Sequence, residues 1–337
     1  MIEMVALTVI GILLATILFF ARIQRINRGI GKILTEAKED KTLPHTHEWE
    51  LYHNEQAPSQ RIRACLAELN IPYKSYAVTL QTNVNQTVPA GLIQSLSKHQ
   101  IPILLHHGKP IYNSRKQMAY VIAQHNNGAQ MLPTTTGEKY RLKCFLKAFS
   151  GLDENNFAVV SSTENNEIFT IALPAMGAIL ERLTSQPLLR VRIFSRFFRK
   201  DLNTPTLRGL TMLSIVDNPN LNDAFETAKE KIEAQLDKVE DSLSKHGEPW
   251  ITGETFTQID IELMVLLERL YIVTMLEDLL DARRPNTRLY WKTIKSKESY
   301  RKSILNHRSA DIKAARIKIL ATRATNSDFD ETLRVNH

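Results

Sequence analysis

The residues best placed to do chemistry lie between Trp49 and His125. Ile101-Pro102-Ile103-Leu104-Leu105 reads as a core strand that begins with a proline. Proline cannot donate to a sheet ladder, so it needs a special reason to stand there. One such reason is a ligand that binds the backbone just before it, at Ile101. Further on, Asn113-Ser114 precedes Met118, Tyr120, Val121 and Ile122, which puts Ser114 where a helix N-cap belongs. A third stretch, Leu188 to Lys200, holds Arg190, Arg192, Arg196, Arg199 and Lys200 with no acid, interleaved with Ile193, Phe194, Phe197 and Phe198. At helical spacing Arg192, Arg196 and Arg199 share a face. That pattern suits an anionic bilayer or a fatty-acid carboxylate, or equally a solvated arginine face on a helix whose phenylalanines are core. His45 and His47 form an HxH pair, but no Cys, Asp or Glu constellation gathers beside them, so no metal is expected.

These residues need elements to hold them. The order from Trp49 onward is strand, helix, strand, helix, strand, tight turn, strand, helix, a small βαβα-ββα domain. Glu50 to His53 is a short strand, with Tyr52 near its end. Pro58 opens a helix, where its missing N–H costs nothing; Ser59 follows it, and Ile62, Cys65, Leu66 and Leu69 give the apolar face. Ser75 to Leu80 is a second strand and Pro89 to Lys98 a shorter helix. Ile103–Leu105 and Ile111–Tyr112 flank a hairpin turn, His106-His107-Gly108-Lys109, with glycine where positive φ is useful.

The chain has 337 residues, 43% apolar and 23% charged, the composition of a globular protein with room for two domains. Its net charge of +7 comes from clumped basic residues without the aromatics and motif of a nucleic-acid module. No nucleic-acid partner is therefore expected; a membrane surface or an anionic ligand is. Cys65 and Cys144 are far apart and make no disulfide framework, which points to a reducing compartment.

Met4 to Phe20 carries no charge. As a helix it spans roughly 25 Å, the short end of a membrane crossing. Its basic residues, Arg22, Arg25, Arg28 and Lys32, follow the apolar run rather than precede it. This predicts an uncleaved anchor with its N-terminus outside and the folded domains in the cytoplasm. Residues 21–47 read as a juxtamembrane linker or interfacial amphipathic helix.

After residue 125 the strand patterns stop. Asn126 to Gly137 has the composition of a linker, placed at 126–140, ahead of an all-helical domain at 141–310. Asn165 to Leu183 and Asn222 to His246 read as helices, the second stopped by Gly247. Thr257 and Asp260 have capping-box spacing, with Phe256 and Ile261 at the staple positions. The apolar run that follows, to Leu280, predicts a central helix. Residues 311–337 read as a basic helix, Ile312 to Thr322, and a flexible tail.

Three motifs give this chain a resemblance to the glutathione transferases: Leu51-Tyr52 with Ser59 to Tyr73, Ile101-Pro102 with Asn113-Ser114, and Pro249 to Asp260. The resemblance implies a thioredoxin-like domain at 48–125 followed by the all-helical domain, and covers about Trp49 to His307. It further implies a cis-proline at Pro102 whose neighbour Ile101 pairs with the cysteinyl backbone of glutathione. Ser114 and the helix start would receive the γ-glutamyl carboxylate. Asn113 stands where the family has Glu, and can accept from the glutathione ammonium without adding charge. The family's thiol-activating position falls at about Gln56 or Ala57, which have neither hydroxyl nor thiol. Tyr52 or Ser59 would then have to supply the donor, unless Ser59 is a helix cap and Tyr52 packs in the sheet. Arg283 to Asn286, Tyr290-Trp291 and Lys295 to Tyr300 resemble the corresponding end of the ganglioside-induced differentiation-associated proteins. The expectation is thus a membrane-anchored glutathione-transferase-like protein, paired as a homodimer as the family often is, that conjugates glutathione to an apolar electrophile. The alternative is a non-catalytic module that binds lipid, an acyl chain or a protein.

Overall fold

A computed structural model of the chain describes residues 42–78, 101–150, 152, 167–184 and 210–334. The expected anchor at 4–20, the juxtamembrane stretch to residue 41, the helix Pro89–Lys98 and the basic segment with Arg192, Arg196 and Arg199 lie outside the described residues. The described strands and helices all fall within one compact unit, Pro44–His337.

Strand β1 (Trp49–His53) is the centre of a mixed sheet, flanked by β2 (Lys74–Ala77) on one side and β3 (Ile103–His106) on the other, with β4 (Lys109–Tyr112) outermost. β1 and β2 run parallel; β3 is antiparallel to both β1 and β4. The β3–β4 loop is His107-Gly108, with φ of 48° and 77°. Positive φ at both positions gives the turn whose twist matches the flanking strands.

Helices α1 (Ala57–Glu68) and α2 (Ser114–Gln124) pack together on one face of this sheet. Trp49, Leu51 and Leu104 point to that face and join Ala64, Met118 and Val121 in the main core. Glu50, Tyr52, Ile103 and Leu105 point the other way, because the register pairs Glu50 with Leu105 and Tyr52 with Ile103.

The connection at 126–140 is more ordered than its composition predicts. A 3-10 turn covers Asn126–Met131 with Met131 buried, and α3 (Thr136–Ser150) begins inside it. Glu138 causes this start: its carboxylate accepts from the N–H and hydroxyl of both Thr134 and Thr135. Those bonds, the Thr135 N–H foremost, hold the Glu138 carboxyl down to about 2.

The helix expected over Asn165–Leu183 is broken. α4 (Glu167–Ile171) and α5 (Leu173–Thr184) are separated at Ala172, because Pro174 has no N–H to continue the ladder. After the short α6 (Ser214–Asp217) comes α7 (Pro219–His246), capped by Asn218 and ended by Gly247 at φ 64°. The apolar run forms α8 (Gln258–Ile272), almost entirely buried, then α9 (Leu276–Leu279). α8 packs against α1, α3 and α4, so it is the axis on which the two domains meet.

Its start is as expected. Asp260 is fully buried and its carboxylate accepts from the Thr257 N–H, the Thr257 hydroxyl, the Ile251 N–H and the Tyr290 hydroxyl. The chain continues through α10 (Pro285–Ser296), α11 (Glu298–Ser303) and α12 (Ala310–Arg323).

The chain is helical again near its end: α13 (Ser327–Leu333) buries Phe329 and Leu333 completely. Asn326 caps it, Arg323 pairs with Asp330, and Lys229 donates to the Thr332 and Arg334 carbonyls.

Candidate functional site

The Ile101–Pro102 peptide bond is cis. Gln117, one turn into α2, donates through Nε2 to the Pro102 carbonyl at 2.8 Å and to the Ile111 carbonyl at 2.7 Å. One buried amide thus fixes the start of β3 and the end of β4 against the first turn of α2.

That turn is built differently from the expectation. The N-cap is Asn113, not Ser114; its Oδ1 accepts from the N–H of Arg115 and Lys116. Asn113 has φ 68° and ψ 115°, outside the ordinary left-handed well. Such conformations cost of order 1–3 kcal/mol and gather where a ligand is clamped. Ser114 is therefore the first helical residue. It is fully buried and its hydroxyl has no hydrogen-bond partner. A buried orphan hydroxyl costs about 1–3 kcal/mol, and a ligand acceptor placed there would recover that cost. With Asn113 already committed to capping, an anion at this turn would be received by Ser114.

The next residue locks the turn to the helical domain. Arg115 donates to both carboxylate oxygens of Glu262, at 2.7 and 3.2 Å, and to the Phe149 carbonyl. Arg61 of α1 donates to the same carboxylate at 2.6 Å. Arg61 and Glu262 have no solvent exposure. Periodicity did not single out Arg61, Arg115 or Glu262; the available signal was an acid inside the apolar run of α8.

The two expected thiol donors are committed elsewhere. Ser59 is buried, and its hydroxyl donates to Asn54 Oδ1 and accepts from the Asn54 N–H. It ties down the loop before α1 instead of facing a ligand. Tyr52 lies on the sheet face away from α1 and α2, with its ring stacked on Tyr76 at 4.6 Å. Burial, and then the Glu50 carboxylate, push its phenol well up. Cys65 is buried in α1, where desolvation also raises its thiol; Cys144 is exposed on α3. The first turn of α1, behind Gln56, has no side-chain cap.

A second polar cluster closes the seam between the domains. Arg63, buried, donates to the Ser303 carbonyl, the Asn54 carbonyl and His53 Nδ1. His53 also meets Ser75 at 2.7 Å and sits edge-on to His307. Burial, with Arg63 nearby, holds His53 at about 3 and His307 at about 4. Both are neutral when folded, so below pH 6.5 the unfolded chain takes up protons that the folded one refuses. Stability is then lost as pH falls from 6.5 toward 4. Asp260, pushed up to about 6 by burial, works in the opposite sense over the same range, as does Glu55. Each group is worth up to roughly 1.4 kcal/mol per pH unit. The expected net loss over one pH unit in the mildly acid range is about 1 kcal/mol, and urea unfolding at either end of that unit should show it. His307→Phe should flatten that slope; a slope unchanged in the variant would contradict the assignment.

Residues 222–290 match the family model of the glutathione S-transferase C-terminal domain. Glutathione transferase F7 from Populus trichocarpa superposes with a TM-score of 0.53 at 17% identity, over 77% of this chain and 100% of that one. Beta-etherase LigF from Sphingobium sp. strain SYK-6 does so with a TM-score of 0.54 at 14% identity, over 77% and 100%. No curated protein sequence matches the chain. The fold is that of the glutathione transferases: a thioredoxin-like sheet domain followed by a helical domain.

Proposed function

We propose that this protein is a membrane-anchored, glutathione-transferase-like protein that holds glutathione against Ile101-Pro102 and Ser114. The observation that carries this reading is the buried, unpartnered Ser114 hydroxyl at the start of α2, one turn from the Gln117 amide that fixes the Pro102 carbonyl. The γ-glutamyl carboxylate would accept from Ser114, and the helix start adds a favourable dipole. The cysteinyl backbone would pair at Ile101. Asn113 is occupied as a cap, which leaves the glutathione ammonium without a charged partner here and makes the complex weak for its class.

Conjugation needs a thiolate. With Tyr52 and Ser59 committed, the group left to favour it is the uncapped first turn of α1, since helix N-termini lower thiol pKa values. The thiol proton would pass to solvent, and the thiolate sulfur would then bond to the electrophilic carbon of an apolar co-substrate as that carbon's bond to its leaving group breaks, the leaving group departing with the electron pair. Residues 4–20 would anchor the chain, N-terminus outside and folded domains in the cytoplasm, where the bilayer concentrates such co-substrates. Pairing into homodimers and kinship with the membrane-anchored ganglioside-induced differentiation-associated proteins belong to the same reading. The test is glutathione calorimetry on the full-length chain in detergent, with conjugation to a generic electrophile. Saturable binding with slow turnover is expected. The absence of both saturable binding and turnover would overturn it.

A second reading is favoured by the commitment of the Ser59 hydroxyl to Asn54 and by the placement of Tyr52 on the sheet face away from α1 and α2: a non-catalytic module that binds lipid, an acyl chain or a protein. It predicts no turnover. It also predicts retention of the fragment from residue 40 onward by anionic liposomes, abolished when Arg192, Arg196 and Arg199 are changed to Glu.

A further inference from the structure

The far end of β3 from Pro102 carries a different constellation. His106 ends the strand, His107 begins the turn, and Glu48 immediately precedes β1. The sheet brings them together although they are distant in sequence: Trp49 pairs with His106, and the His107 N–H donates to the Glu48 carbonyl at 2.9 Å. One ligand atom from each of the three side chains lies within 4.8 Å of the other two.

We propose that Glu48, His106 and His107 form a surface site for a borderline divalent transition-metal ion, of which zinc is the type. Two imidazoles and one carboxylate are the donors such ions prefer, whereas magnesium and calcium take oxygen sets. Tetrahedral coordination at about 2.0–2.2 Å puts donor atoms roughly 3.3–3.5 Å apart. His106 Nε2 and Glu48 Oε1 are 3.6 Å apart already, so closure asks mainly for a rotation of the exposed His107 ring. Three protein ligands leave one position for water, so the site is an exchangeable one.

The surroundings orient the ligands as metal sites require. His106 is stacked on Trp49, with ring centroids 3.7 Å apart, and its Nδ1 lies 2.8 Å from the Tyr120 hydroxyl oxygen. In the tautomer that donates Nδ1–H to Tyr120, Nε2 presents its lone pair to the ion. Trp49 Nε1 donates to Glu48 Oε1 at 3.1 Å, which holds the carboxylate toward the ring. His47, of the HxH pair, turns instead to Thr46 and Glu50.

Zinc calorimetry on the full-length protein in detergent tests the site, together with copper quenching of Trp49 fluorescence. One equivalent of zinc should bind with micromolar affinity. Copper should quench a tryptophan component that is absent from Trp49→Phe. Glu48→Gln combined with His107→Ala should weaken zinc at least ten-fold and leave the metal-free melting temperature unchanged, since both side chains are exposed. Zinc affinity unaltered in that double variant, or lost only on replacing His45 and His47, would overturn the assignment. So would the absence of saturable binding.

Discussion

Glu262→Ala is expected to destabilise the folded chain by about 3–5 kcal/mol, measured as the loss of unfolding free energy in urea. Glu262 is fully buried and receives Arg61 and Arg115, the first of them also without solvent exposure. Removing the carboxylate leaves a guanidinium in the interior without its counter-charge, and the cost comes from that uncompensated charge. Glu262→Gln keeps the shape and loses the charge, so most of the loss should persist. The same bridge holds the first turn of α2 to α8 through Arg115, the neighbour of Ser114. Glutathione affinity should therefore fall in any Glu262 variant that still folds. A loss below about 1 kcal/mol in both variants would show that the bridge is not what joins the two domains.

Ser114→Ala separates binding from stability. The hydroxyl makes no hydrogen bond within the protein, so its removal should leave unfolding free energy unchanged or raise it slightly. If the hydroxyl donates to the γ-glutamyl carboxylate, a bond worth about 1.5–3 kcal/mol is lost. Glutathione affinity should then fall roughly ten- to a hundred-fold in calorimetry. A stability drop above about 1 kcal/mol with affinity unchanged would make Ser114 a packing residue.

The sheet domain was legible because its signals are local. Pro58, the His107-Gly108 turn and the proline at the head of β3 each act through a few adjacent residues, and the strands start within a residue or two of where those signals put them. The start of α8 was legible for the same reason, since Thr257 and Asp260 sit within one turn. The candidate site was legible as a place but not as an arrangement. That Asn113 caps α2 depends on a backbone angle of 68°, and no spacing rule distinguishes it from a cap at Ser114. For Ser59 and Tyr52 the sequence left both roles open, because a hydroxyl's partner and a strand's outward face are tertiary facts. The ion bridge was invisible for a related reason: nothing in the spacing of Arg61 and Arg115 shows that both meet Glu262, and only the packing of α8 brings that carboxylate to them. The same holds for α13, whose polar composition reads as a tail until Phe329 and Leu333 find the core. Glu48, His106 and His107 meet only through strand register.

The central claim is that glutathione docks between the head of β3 and the first turn of α2. The most direct measurement is a crystal structure of the protein with glutathione at saturating concentration. Difference density for the tripeptide is expected along Ile101-Pro102, with its γ-glutamyl carboxylate within hydrogen-bond distance of Ser114 Oγ. Density absent from that position, or glutathione bound elsewhere while Ser114 stays unpartnered, would contradict it.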